Sequence, residues 1–193
     1  VAEAAESALD GYLLKPHQAT HLGERIMQAR ARKLALQPIF TAIEALDFAA
    51  AADLCMERFK TRGPFWLYAA RVGAELMLRM GKSAEAQALY KAVVEAKTLP
   101  WAKLGVARAQ LDAGQTTQAT STLENLISTE PNYADAYDVM GRAHFEVGKF
   151  DKALETYKMA ASLTPSSITR VQNLAMMTYF SGQHAEAEKL LDQ

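Results

Sequence analysis

From residue 33 to the end of the chain, small residues recur at a long and nearly constant interval. Gly81, Gly114, Gly148 and Gly182 each precede a helical stretch, and Asp47 stands in the first such position. Five residues after each come Ala52, Ala86, Ala119, Ala153 and Ala187, in steps of 34, 33, 34 and 34 residues. Pro64, Pro131 and Pro165 close units in the same register, and Pro100 closes another two residues late. Proline can begin or precede a helix but cannot continue one. The pattern predicts five units, at about 33–66, 67–99, 100–133, 134–167 and 168–193, each a pair of helices joined by a tight turn.

The fullest unit, Ala134–Ser167, carries Tyr137, Met140, Gly141, His144, Gly148, Ala153, Tyr157, Ala160 and Pro165. Small residues at Gly141, Ala153 and Ala160 allow two helices to approach, and Tyr137 and Tyr157 fill the gaps between them. This arrangement resembles the tetratricopeptide repeat, with Met140 for the usual Leu and His144 for the usual aromatic. The first unit is degenerate: Phe40 replaces a small residue, and Pro38 lies where it kinks or starts a helix. The resemblance implies an all-α superhelix of helical hairpins over residues 33–193, each burying a face on the next.

Residues 1–32 lack the period. Asp10-Gly11-Tyr12-Leu13-Leu14-Lys15-Pro16 reads as a short strand, followed by a helix over Thr20–Arg32 with Leu22, Ile26 and Ala29 on one face. The segment resembles the C-terminal end of a bacterial response-regulator receiver, and so implies a helix–strand–helix remnant of an α/β domain before the array. In that family the lysine matching Lys15 contacts the phosphoryl group, and Pro16 follows it. A lone strand without its sheet is expected to be poorly ordered or to pair with another chain. The start at Val1 rather than Met implies sequence upstream, where the resemblance places the phosphoacceptor and its histidine kinase partner.

A formal net charge of −1 supplies no field for phosphates, so nucleic acid is not an expected partner. No apolar run reaches the roughly 20 residues that span a bilayer, which argues against a membrane partner. The single cysteine, Cys55, forms no internal disulfide and suits a reducing, cytoplasmic setting. His17 and His21 share a four-residue spacing, but no carboxylate motif completes a metal site. His144 and His184 read as packing and turn residues. Arg30, Arg32 and Lys33 read as a solvated helix face. No nucleophile motif or phosphate loop appears, so neither an enzyme nor a cofactor is expected.

Stacked hairpins line one face with their first helices. Its outward positions are Tyr68, Arg71, Glu75 and Leu78; Trp101, Leu104, Arg108 and Leu111; Asp135, Asp138, Arg142 and Phe145; and Thr169, Gln172, Met176 and Tyr179. Trp, Tyr and Arg are the side chains that most often carry interface energy. Leu104 and Asp138 stand where chaperone-binding members carry Lys, so a chaperone-type carboxylate clamp is not expected. The leading expectation is a cytoplasmic two-component adaptor, in which an upstream receiver governs binding of a protein or peptide to this face. The alternative is a structural module that associates with a second copy of itself.

Overall fold

The structure is a computed structural model that describes residues 19–191, with side chains from Leu22 onward. Among these residues all regular structure is helical: α1 (Ala19–Ala35), α2 (Gln37–Glu44), α3 (Phe48–Lys60), α4 (Trp66–Arg79), α5 (Ser83–Ala96), α6 (Pro100–Asp112), α7 (Thr116–Thr129), α8 (Ala134–Glu146), α9 (Phe150–Leu163), α10 (Ile168–Phe180) and α11 (His184–Leu191). The chain divides into two units between Asp112 and Ala113.

In the first unit, α3 packs between α2 and α4, and α5 between α4 and α6. Close approach depends on small residues: Ala51, Ala70, Ala74, Ala86, Ala102 and Ala109 are all buried in one core with Leu89, Tyr90 and Val93. Where α3 and α4 cross, a Cβ on Gly73 would lie 2.7 Å from Cys55 Cβ. Burial pushes the Cys55 thiol up to about 12, which leaves it protonated and unreactive. In the second unit, α9 packs on both α8 and α10, and α11 on α10. There Gly141 lets the Tyr157 ring lie flat against α8, with a would-be Cβ only 2.8 Å from it.

The turns correct the register of the first hairpin. Gly81, Gly148 and Gly182 take positive φ and close a shared pair of bonds, as in Gly81 N–H to Leu78 O and Lys82 N–H to Met77 O. In the first hairpin the same pair runs from Leu46 to Ile43 O and from Asp47 to Ala42 O, with Leu46 at φ 59°. The equivalent of the turn glycine is therefore Leu46. Asp47 instead caps α3, its side chain accepting from Ala50 N–H at 3.0 Å. Leu46 is exposed and holds a left-handed backbone that costs an L-residue about 1–2 kcal/mol. Leu46→Gly is expected to stabilise the chain by about 0.5–1 kcal/mol, after the extra freedom of glycine in the unfolded state is subtracted. A raised urea midpoint at unchanged slope would report it.

The expected helix–strand–helix remnant of an α/β domain is not found among the described residues. No strand occurs among the described residues, and the Tyr12–Leu14 strand, Lys15, Pro16 and His17 lie outside them. The helix expected over Thr20–Arg32 is longer, running from Ala19 to Ala35, so Thr20 sits within its first turn rather than before it. Its last turn meets the helices that follow, while most of its described side chains are exposed. Arg58 Nη2 donates to Ala35 O at 2.7 Å, and Leu36, at its end, is buried with Ile39, Cys55 and Ala69. Ile26, placed by its spacing on one face with Leu22 and Ala29, is 59% exposed. A receiver helix covers a parallel sheet, whereas α1 leads directly into hairpins that already satisfy their own backbone.

Candidate partner-binding surface

Spacings of three and four residues bring Tyr68, Arg71 and Glu75 to one stripe of α4, and Trp101, Leu104 and Arg108 to one stripe of α6. Arg108 grips Glu75 with both guanidinium nitrogens, Nη1 to Oε1 at 2.6 Å and Nη2 to Oε2 at 3.1 Å. The Tyr90 hydroxyl donates to the same Oε1 at 2.6 Å. Arg71 lies over the Trp101 ring, 5.3 Å from its centroid, and Trp101 meets the Tyr90 ring edge-on at 6.3 Å. Arg32, from α1, lies over the Tyr68 ring at 4.6 Å. Leu104 and Leu111 are buried and offer little to a ligand. Beside the stripe opens a cleft of about 330 Å³, floored by Ile43, Phe48, Val72 and Leu76 and rimmed by Tyr68, Arg71, Glu75 and Arg79.

Burial works to raise the Glu75 pKa. The charge of Arg108, the hydrogen bonds from Tyr90 and Arg108, and the charge of Arg71 outweigh it and hold the carboxyl below its ordinary value. Burial and the neighbouring carboxylate push Tyr90 up, so its hydroxyl stays a neutral donor. A folded-state pKa below the unfolded value of about 4.3 means the stabilisation is complete above that value. It is lost as pH falls through the folded pKa. Wild type should therefore lose urea midpoint between neutral pH and pH 3 more steeply than Glu75→Gln, and parallel acid limbs for the two proteins would refute this.

On the second unit, Asp138 is not an open groove position. Arg170, itself buried, donates from Nε to Asp138 Oδ2 at 2.7 Å, from Nη1 to Thr164 Oγ1 at 2.6 Å, and from Nη2 to Asp135 Oδ1. Arg142 pairs with Glu146 at 2.7 Å on its own helix. Phe145 touches Phe150 at 5.6 Å and Phe180 at 6.0 Å, and Tyr179 stacks on His184 at 4.4 Å. Thr169, Gln172, Met176 and Tyr179 lie toward solvent. His144 is half-buried, and burial with Lys152 and Lys149 holds its pKa below the usual histidine value.

Sequence reasoning missed Arg170, Tyr90, Arg79, Phe150 and Phe180. The signal for the ion pairs was present, because Glu75 and Arg108 stand 33 residues apart and Asp138 and Arg170 stand 32 apart. Residues about one period apart are neighbours when hairpins stack. Among the described residues, no group of three or more His, Cys, Asp or Glu is placed to hold a metal ion. No helix among them is long and apolar enough to cross a membrane.

A family model described as tetratricopeptide repeat matches residues 77–143 and again 110–177, together just over half of the chain. The Xenopus laevis tetratricopeptide repeat protein 37 is 27% identical over 122 residues, covering 62% of this chain and 8% of that protein. The chain spans under a tenth of the length of the curated relatives it matches. The solved structure of a thermophilic tetratricopeptide protein of Thermus thermophilus superposes with a TM-score of 0.66 at 21% identity, over 83% of this chain and 90% of that one. The first tetratricopeptide domain of Spaghetti, solved with the HSP90 peptide SRMEEVD, reaches a TM-score of 0.53 at 20% identity, over 60% of this chain and 92% of that one. The all-helical repeat fold is thus shared, and the receiver resemblance is overturned together with the response-regulator, phosphorelay and histidine-kinase roles it implied. What these comparisons share with the chain is a helical repeat fold.

Proposed function

Because the chain belongs to the tetratricopeptide repeat family, we propose that it is a protein-binding scaffold that holds a segment of a partner against the first-helix faces of its repeats. The observation that carries this is the row on the first unit, Tyr68, Arg71, Glu75, Trp101 and Arg108, half-exposed beside an apolar cleft, with Glu75 held by Arg108, Trp101 under Arg71 and Tyr68 under Arg32. Side chains already fixed lose little freedom when a ligand arrives, so more of the contact energy appears as affinity. On the second unit Arg142, Phe145, Gln172, Met176 and Tyr179 are the proposed contacts. Leu104, packed beneath, and Asp138, held by Arg170, shape the face rather than touch the ligand.

The fold shared with a domain solved with a bound peptide supports peptide binding as a mode. It does not extend to that peptide, since Leu104 and Asp138 replace the clamp lysines. We propose that the repeat array runs over about residues 33–193, its first hairpin following α1. A photo-crosslinking residue at Tyr68 and another at Lys158, an exposed position of α9, test the reading. A protein captured from the 68 position and not from 158 supports it. The same capture from both sites, or none from 68, sinks it.

A second reading, association with another copy, is favoured by exposed apolar side chains at Ile26, Met27 and Leu34 on α1 and Met176, Tyr179 and Phe180 on α10. A sedimentation coefficient that stays monomeric across a hundredfold range of concentration would remove it.

A further inference from the structure

We infer that the cleft on the first unit takes an internal peptide segment in which a large apolar side chain stands next to a carboxylate. The inference rests on the scaffold reading above and names the chemistry of its partner. The floor, formed by Ile43, Phe48, Val72 and Leu76, is apolar, and a cleft of about 330 Å³ holds one or two large side chains.

The charge of the rim is one-sided. Its single carboxylate, Glu75, already accepts from Arg108 and Tyr90 on one oxygen and from Arg108 on the other. Arg71 stacks over Trp101, and its charge acts on Glu75. Arg79, on the last turn of α4, is exposed and has no acidic partner among the described residues. Arg79 therefore borders the apolar floor beside a carboxylate whose two oxygens already accept hydrogen bonds. Guanidinium groups pair with carboxylates through two parallel hydrogen bonds, which selects acidic ligands by geometry as well as by charge. The Lys set that grips a chain terminus is absent, so the carboxylate is that of an Asp or Glu side chain within a segment.

The test is selection from a phage-displayed library of random 12-residue peptides on the intact chain. Selected peptides are then made with blocked termini, and their affinities measured for wild type, Arg79→Glu, Val72→Asp and Trp101→Ala. Circular dichroism of each variant checks the fold. The expected result is enrichment of Asp or Glu beside Leu, Ile or Phe, with binding about three- to tenfold weaker to Arg79→Glu and stronger loss in Val72→Asp. Arg79→Glu, at an exposed helix end, keeps the test valid where Val72→Asp fails to fold. Peptides that depend on Trp101 yet show no acidic enrichment and ignore Arg79→Glu overturn this inference and leave the scaffold reading standing. Peptides indifferent to all three substitutions, or no binders at all, overturn both.

Discussion

Arg170→Met is expected to destabilise the second unit by about 3 kcal/mol, a loss that Arg170→Lys does not restore. The guanidinium joins Asp135 and Asp138 of α8 to Thr164, in the link before α10, through three separate nitrogens. Methionine fills the volume but leaves two carboxylates facing each other at a half-buried site. An ammonium group reaches one partner at a time and lacks the planar fork. Because both aspartates retain some contact with water, the loss falls short of that for a fully buried pair. Hydrogen exchange should accelerate first at the amides of α8 and α10. Adding Asp135→Asn and Asp138→Asn to Arg170→Met should recover part of the loss by removing the repulsion. Unchanged exchange in Arg170→Met would show that the cluster contributes nothing net.

Gly105→Ala is expected to cost about 2–3 kcal/mol, although the added group is one methyl. A Cβ there falls well inside van der Waals contact of the Tyr90 ring. That ring is 1% exposed and cannot swing aside without breaking its hydroxyl bond to Glu75 and its edge contact with Trp101. Gly81→Ala makes a useful contrast. Its Cβ meets nothing within 4 Å, so only the positive φ of 72° counts against it, about 1 kcal/mol. Denaturant unfolding of Gly105→Ala, Tyr90→Ala and the pair forms a cycle. If the clash is the cause, the double substitution costs clearly less than the sum of the singles. Additive costs would assign the effect to helix backbone instead.

The two glycines mark what sequence reasoning reaches. Gly81, Gly114, Gly148 and Gly182 were legible as turns because a left-handed backbone is a local demand, repeated at every hairpin. The alanines five residues on were legible for the same reason: each helix crossing needs a small residue, so the need recurs at the repeat period. Leu46 escaped notice because its left-handed turn is imposed by the packing of α2 and α3 rather than invited by a glycine. The receiver resemblance failed for a related reason. A short string of residues can match a family motif by chance, whereas the described residues that follow it are helical throughout and belong to a repeat fold.

The candidate face was legible as a set of positions, because the helical period alone sends Tyr68, Arg71 and Glu75 to one side of α4. Which of those positions stay open was decided by contacts from other helices. Arg108 and Tyr90 close on Glu75, Leu104 sinks into the core, and Arg170 takes Asp138. The all-helical hairpin repeat and its period thus followed from the sequence by itself, through demands that each hairpin makes on its own residues. The register of the first turn came only with the structure, because its left-handed residue is a leucine that local backbone bonds reveal; the paired charges and the cleft beside α4 came only with tertiary structure, because each depends on side chains brought together from different helices.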